Sequence, residues 1–131
     1  MIQLPDIFSI VSQNAACRAL LKDGKKEFRF YSFGMAPQGV AYPYAVWQII
    51  SGTPDNNLTS GDYDAEEIQI QVDVYSSHSQ GSIVARDVAN KIMTAIKPVA
   101  YTTSFRAEER DFETMNYRSS FDSSWINAVQ N

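Results

Sequence analysis

The clearest pattern of hydrophobic and polar positions lies in the segment IQIQVDVYS, residues 68–76. Its side chains alternate with the two-residue period of a β-strand, which predicts one face in a core and one polar face. The apolar face consists of Ile68, Ile70, Val72 and Val74, and the polar face of Gln69, Gln71, Asp73 and Tyr75. A solvated carboxylate is the simplest interpretation of Asp73.

Apolar side chains at helical spacing predict two helices. The first spans residues 5–22, where Asn14 interrupts an otherwise apolar stripe. The second spans residues 82–97 and ends before Pro98, which cannot continue a helix. Its buried stripe is predicted to contain Val84, Ala85, Val88, Ile92 and Ala95.

Four further segments are predicted to be strands: residues 27–33, 44–51, 99–106 and 115–126. The charged stretch RAEERDFE, residues 106–113, is interpreted as a turn between the last two. The predicted order is α-β-β-β-α-β-β in a single domain, residues 1–131. Hairpin-length connections favour a largely antiparallel sheet of four to five strands, with both helices on one face. The fold class is therefore α+β.

An uncharged stretch, FGMAPQGVAYPYAVWQ at residues 33–48, runs from the end of the first predicted strand into the second and includes the loop between them. Its two glycines and two prolines require turns and extended backbone. Surface loops are usually polar, so an apolar loop here indicates contact with another protein chain. The alternative is that the loop folds back over the core of its own chain.

Composition and charge restrict the function classes. The chain has 131 residues, 44% hydrophobic and 20% charged, typical of one globular domain without a membrane span. The first residues lack the pattern of a secretion signal, which predicts a protein folded in the cytoplasm. The net charge of −4 argues against general affinity for nucleic acid. Between Arg29 and Arg86 there is no lysine or arginine, and acidic residues concentrate there.

The sequence contains no strong signal for catalysis or metal binding. Cys17 and His78 are each the only residue of their type, so a disulfide within the chain or a thiol-based zinc site is excluded. No glycine-rich phosphate loop precedes a helix, and no nucleophile elbow is present. We therefore predict no enzymatic activity, no metal and no cofactor.

Three stretches together resemble the tail completion (tail terminator) family of long-tailed bacteriophages and prophages. They are YSFGMAPQGVAYPYAVWQIISGTPDNNL, IQIQVDVYSSHSQGSIVARDVANKI and RDFETMNYRSSFDSSW, which cover most of the chain. The most specific features are the APQG turn, the Pro-Tyr pair before a strand with Trp-Gln, and the Gln-x-Asp-Val-Tyr strand that runs into a helix.

The resemblance implies an α+β structural protein of the virion tail, assembled in the host cytoplasm. Such proteins form a ring, generally a hexamer, at the head-proximal end of the tail tube. The ring stops tube growth and provides the docking surface for the head-tail connector protein, and DNA passes through it without specific binding. The implied partners are copies of the chain itself, the tail tube protein and the connector, with no membrane.

The resemblance assigns expected roles to two groups of residues. The first group is expected to contact a neighbouring subunit or the tube: Met35, Pro37, Gln38, Val40, Tyr42, Pro43 and Tyr44. The second, acidic group is expected to face the lumen or a neighbouring ring: Asp55, Asp62, Asp64, Glu66 and Asp73. An acidic lumen would repel DNA phosphates over about 8–10 Å. The alternative function is a small ligand-binding or enzymatic α+β domain, with an aromatic pocket of Phe30, Tyr44, Trp47 and Trp125.

Overall fold

The computed structural model describes residues 6–22, 27–54 and 65–128, without the side chains of residues 51–54, 65–66 and 126–128. Three helices occur in these ranges: α1 (Ile7–Gln13), α2 (Ala15–Leu21) and α3 (Ser82–Ile96). The strands are β1 (Phe30–Ser32), β2 (Tyr44–Pro54), β3 (Ala65–Ser76), β4 (Ala100–Phe105), β5 (Glu109–Arg110) and β6 (Tyr117–Ala128). The α+β class predicted from the sequence is confirmed.

All six strands belong to one mixed sheet in the order β1-β2-β3-β6-β4, and β5 also pairs with β6. The prediction of a largely antiparallel sheet is correct for β2, β3, β4, β5 and β6. It is wrong for β1, which runs parallel to β2. The connection at residues 33–43 is long enough to return the chain to the starting end of the sheet, as a parallel pair requires and a tight hairpin does not allow.

Strand β3 lies in the middle of the sheet, because it pairs with β2 on one side and with β6 on the other. Its predicted apolar face is confirmed, since Ile68, Ile70, Val72 and Val74 are all at most 1% exposed. From β6, Phe121 and Trp125 join them in the core. The indole Nε1 of Trp125 donates to Ser123 Oγ at 2.9 Å, so this buried polar group is satisfied.

The helices cover the same apolar face of the sheet. Helix α3 places Ala85, Val88 and Ile92 in the core, as predicted, and α1 and α2 add four more buried side chains. The single helix predicted over residues 5–22 is broken into two at Asn14. The Asn14 backbone is extended, with ψ 125°, and its side-chain oxygen accepts a hydrogen bond from the Cys17 amide at 3.0 Å. Asn14 therefore begins α2 as its N-cap, which explains its interruption of the apolar stripe.

Replacing Ile70 by alanine tests the packing of the central strand. Ile70 is fully buried, so Ile70→Ala should leave a cavity and lower the free energy of unfolding by about 2–5 kcal/mol. The matched control is Ile83→Ala on α3, where the isoleucine is 68% exposed and the loss should be below about 0.5 kcal/mol. Urea denaturation of both variants measures the difference. Equal losses would contradict the assignment of Ile70 to the core.

The reactivity of Cys17 tests the contact between α2 and the core. The thiol is 1% exposed, and burial raises its pKa to about 11, although nearby Lys91 partly opposes that shift. At pH 8 only about one thiol in a thousand would be ionised, so a disulfide reagent should not modify the folded chain within minutes. Complete reaction should follow on unfolding in urea. A Phe112→Cys variant, with its new thiol at an 83% exposed position, provides the reactive control.

Candidate functional site

The first half of the connection between β1 and β2 projects apolar side chains into solvent. Phe33 is 71% exposed and Met35 is 68% exposed. Gly34 and Gly39 have φ values of 79° and 77°, a backbone conformation that side-chain-bearing residues rarely adopt. The turns at these glycines hold the segment away from the core, which leaves Phe33 and Met35 without cover in the single chain.

The second half of this connection is tied to the body of the fold. The buried Arg29 guanidinium donates through Nε to the Pro43 carbonyl at 2.8 Å and through Nη2 to the Leu20 carbonyl at 3.0 Å. The carbonyl of Tyr42 accepts from Gln80 Nε2 at 3.0 Å. Because hydrogen bonds to a charged donor are strong, Arg29 links α2 to the start of β2 and holds this half in place.

The predicted contact residues are therefore divided between the two halves. The exposed ones are Met35, Pro37 and Gln38; the half-buried ones are Val40, Tyr42 and Tyr44; and Pro43 is buried. Phe33, the most exposed apolar residue of the connection, was not among them. It was assigned to the predicted strand at residues 27–33 and so was not considered as a loop residue. The uncharged stretch at residues 33–48, which begins with Phe33, was the signal that could have identified it.

Next to this connection, on the face of the sheet opposite the helices, lies a row of tyrosines. Tyr44 stacks on Tyr75 with ring centroids 4.9 Å apart, and Tyr42 meets Tyr44 edge-on at 5.2 Å. Burial is the main reason that the pKa of Tyr44 is raised to about 12, and the neighbouring Tyr42 and Tyr75 add to the increase. Tyr44 is therefore a neutral phenol at physiological pH.

These tyrosines line an open cleft of about 400 Å³. Arg110 and Arg118 are also part of its lining. Arg118 pairs with Glu109, and Nη2 of Arg110 lies 2.9 Å from Nδ1 of His78. Arg110 also stacks over the ring of Tyr117 at 5.0 Å. Each guanidinium group thus has a partner within the chain, although Nε of Arg110 is buried without a hydrogen-bond partner among the described residues. The cleft is an aromatic surface bordered by one ion pair and one Arg-His contact.

Farther along the same face, two carboxylates are built into a hydrogen-bonded network. Asp122 accepts two hydrogen bonds from Arg106, each 3.0 Å long, and one from Ser104. Asp73 accepts from Gln71 at 2.9 Å and from the Ser120 hydroxyl. Both aspartates are 8% exposed, so the interpretation of Asp73 as a freely solvated residue is wrong. The small serines of β6 explain this, because they let the longer polar side chains of β3 lie across them.

The other acidic candidates belong to the hairpin between β2 and β3. Asp55, Asp62 and Asp64 lie outside the described residues. Glu66 is in β3, where its backbone pairs with Pro54 and Asn127. Asp73 lies well apart from them along the strand, and its hydrogen bonds to Gln71 and Ser120 give it a role in the single chain.

The four aromatic residues proposed for a ligand pocket do not form one. Phe30 and Trp125 are at most 3% exposed and belong to the core. Trp47 lies opposite Val72 on the core face, whereas Tyr44 lies opposite Tyr75 on the other face. Tyr44 and Trp47 point to opposite faces of the sheet, because they lie three positions apart on one strand and side chains alternate between the two faces.

Within residues 6–22, 27–54 and 65–128, no group of three or more His, Cys, Asp or Glu side chains is arranged to hold a metal ion. Among the helices in the described part of the chain, none has the length and apolar character needed to span a membrane.

Comparison with known proteins gives two findings. A profile of the family described as "Tail completion protein gp17" matches residues 5–127. The fold is similar to a chain in a structure titled "Virion of native gene transfer agent (GTA) particle", with a TM-score of 0.67 and 10% sequence identity over 94% of this chain and 92% of that one. No curated protein sequence gives a match. The family match spans nearly the whole chain, and we conclude that this protein belongs to the tail completion protein gp17 family.

Proposed function

We propose that the protein forms a ring on the head-proximal end of a phage tail tube. The ring ends tube growth and provides the surface on which the head connector docks. Membership of the tail completion family supports a structural role in tail assembly. The observation that carries the proposal further is the exposure of Phe33 and Met35 on an uncharged loop.

The energetics of these two side chains favour assembly. Burying a phenylalanine or methionine side chain is worth about 1.5–3 kcal/mol, and an aromatic side chain at the centre of an interface often carries much of its binding energy. The Met35 amide donates to the Ser32 carbonyl at 3.0 Å, and this turn restricts the backbone around Phe33, which reduces the loss of backbone freedom on binding. This loop therefore contacts a neighbouring subunit or the tube end in our proposal.

The acidic hairpin has a separate proposed role. No lysine or arginine occurs between Arg29 and Arg86, and Asp55, Asp62, Asp64 and Glu66 concentrate around the hairpin between β2 and β3. We propose that this hairpin faces the lumen, where negative charge keeps DNA from adhering. Asp73 is not included, because its carboxylate is nearly buried and hydrogen-bonded within the chain.

A ligand-binding function is the second candidate, and the tyrosine cleft is the observation that favours it. A ligand site needs convergent polar groups that are available to the ligand. In this cleft Arg118 pairs with Glu109, and Arg110 contacts His78 and Tyr117. Nε of Arg110 is the one buried side-chain donor of the described residues without a hydrogen-bond partner, and a single such donor is not a convergent set. We favour assembly, because the family match supports a structural role.

Charging the exposed loop tests the proposal. In the double variant Phe33→Asp/Met35→Asp, both interface anchors are lost, at a cost of about 3–6 kcal/mol of binding energy. This is at least about a hundredfold loss of affinity for tube ends or for other copies. The measurements are native mass spectrometry of the pure protein and electron microscopy of polymerising tube protein, in which the unaltered chain should cap the tubes.

The matched control is Phe112→Asp, which places a charge at another exposed phenylalanine outside the loop. It should form rings and cap tubes as the unaltered chain does. All three proteins should melt at similar temperatures, since each altered side chain is largely exposed. Equal capping by the double variant and the control would overturn the role of the loop. An unaltered chain that forms no ring and caps no tube would overturn the proposed function itself.

A further inference from the structure

The sheet has open edges at its two opposite ends. On one side, β1 pairs only with residues 45–47 of β2, so residues 48–54 have no partner on their outer edge among the described strands. On the other side, β4 pairs with β6 through one edge only, and its outer edge meets no described strand. Each open edge presents backbone N–H and C=O groups that another strand can bind.

Neither open edge has the charged side chains that usually prevent such pairing. Residues 48–54 read QIISGTP, and β4 reads AYTTSF, so both segments are entirely uncharged. Ile49 and Ile50 are each 39% exposed, and Tyr101 and Phe105 are 56% and 71% exposed. Proteins commonly protect edge strands with lysine or other charges. Each edge also has a register shift, at Ile49/Ser51 in β2 and at Thr102/Ser104 in β4, and β2 ends at Pro54, features that restrict pairing to the regular stretches between them. Within those stretches the neutral edges with exposed apolar side chains are suited to pairing.

The β4 edge also has space for the side chains of an added strand. A groove of about 320 Å³ lies between α3, β6 and the end of β4; Met93, Phe105 and Phe121 form its apolar part, and the paired Arg86 and Glu108 also line it. A second groove of about 230 Å³ is lined by Met93, Lys97, Ala100 and Tyr101, at the end of α3 and the start of β4. An added strand directs alternate side chains to one face, and such grooves give strand addition its specificity.

We propose that residues 48–54 of one copy of this chain pair with β4 of the next copy. The inference rests on the proposed ring and identifies the contact that builds it. The two edges belong to opposite ends of one sheet, so their pairing is head-to-tail and can be repeated from subunit to subunit until the ring closes. The six residues of β4 are comparable in length with the free part of β2.

The second copy of the chain is a better occupant than a strand of the tube protein. A ring needs two different, mutually compatible surfaces on every subunit, and this sheet provides both. Each edge has the neutral character and exposed apolar side chains that its proposed partner also has. Pairing of β4 with β4 of a second copy would instead give a closed dimer and leave residues 48–54 uncovered.

Cysteine cross-linking between copies tests the contact. Six variants, each with a cysteine introduced at one of positions 48–53, are each mixed with an affinity-tagged Tyr101→Cys chain and oxidised, because antiparallel pairing over the whole free segment would place Tyr101 near positions 52–53. Directly opposed residues on neighbouring strands lie about 4.5–5.5 Å apart, within the range that a disulfide needs. At least one mixture should give a disulfide-linked pair of tagged and untagged chains. Phe112→Cys replaces Tyr101→Cys in the control mixtures, which should give none, and buried Cys17 should not react.

Native mass spectrometry of the same samples separates the two hypotheses. Rings with a disulfide between position 101 and one of positions 48–53 support the pairing. Rings without such a disulfide in any of the six mixtures overturn the pairing and leave the proposed ring intact. A Tyr101 cross-link to the tube protein instead of to a second copy also overturns it. The absence of rings, alone and on tubes, contradicts the proposed function.

A charge placed on the β4 edge gives an independent result. Tyr101→Lys should abolish the ring species, because a lysine on the edge opposes strand pairing. Tyr101→Phe should retain it. Both variants should melt near the temperature of the unaltered chain, since the side chain is more than half exposed. Normal rings formed by Tyr101→Lys would contradict the proposed pairing.

Discussion

The antiparallel pairing of β3 with both of its neighbours is the constraint on which the rest of the structure depends. A shift of one residue would move Ile68, Ile70, Val72 and Val74 from the core to the opposite face, so register and burial are set together. On that opposite face, polar contacts across the strands reinforce the same register. Asp73 accepts a hydrogen bond from the Ser120 hydroxyl directly opposite, and Glu67 accepts one from the Ser124 hydroxyl, which lies two positions along β6 from Ile126, the residue opposite Glu67.

The parallel position of β1 explains the connection that follows it. A chain that must return to the same end of the sheet needs a long crossover, and here residues 33–43 provide one without a helix. Arg29 binds the end of this crossover at Pro43, whereas the turns at Gly34 and Gly39 direct Phe33 and Met35 outward. The exposed apolar surface is therefore a consequence of the topology, and assembly is the use of that surface that we propose.

The two faces of the sheet have different relations to solvent and partners. The helices cover the apolar face, and the outer face satisfies its own aspartates through arginine, serine and glutamine side chains. What stays open is mainly at the margins: the first half of the loop, the free part of β2 and the edge of β4. A subunit that is internally complete on both faces and open at its margins is suited to joining copies side by side, with little change in its own structure.

The local period of the sequence was sufficient for β3, α3 and the α+β class, because apolar side chains repeat there at the spacing of one face. It also located the uncharged loop and, by resemblance, the family that the profile match supports. The break at Asn14, the parallel β1, the short β5 and the burial of Asp73 depended on tertiary structure. Each is decided by contacts between residues distant in sequence or by a capping side chain, which a periodic pattern does not contain. The open edges also depended on tertiary structure, because the order of all the strands in the sheet decides which of them lie at an edge.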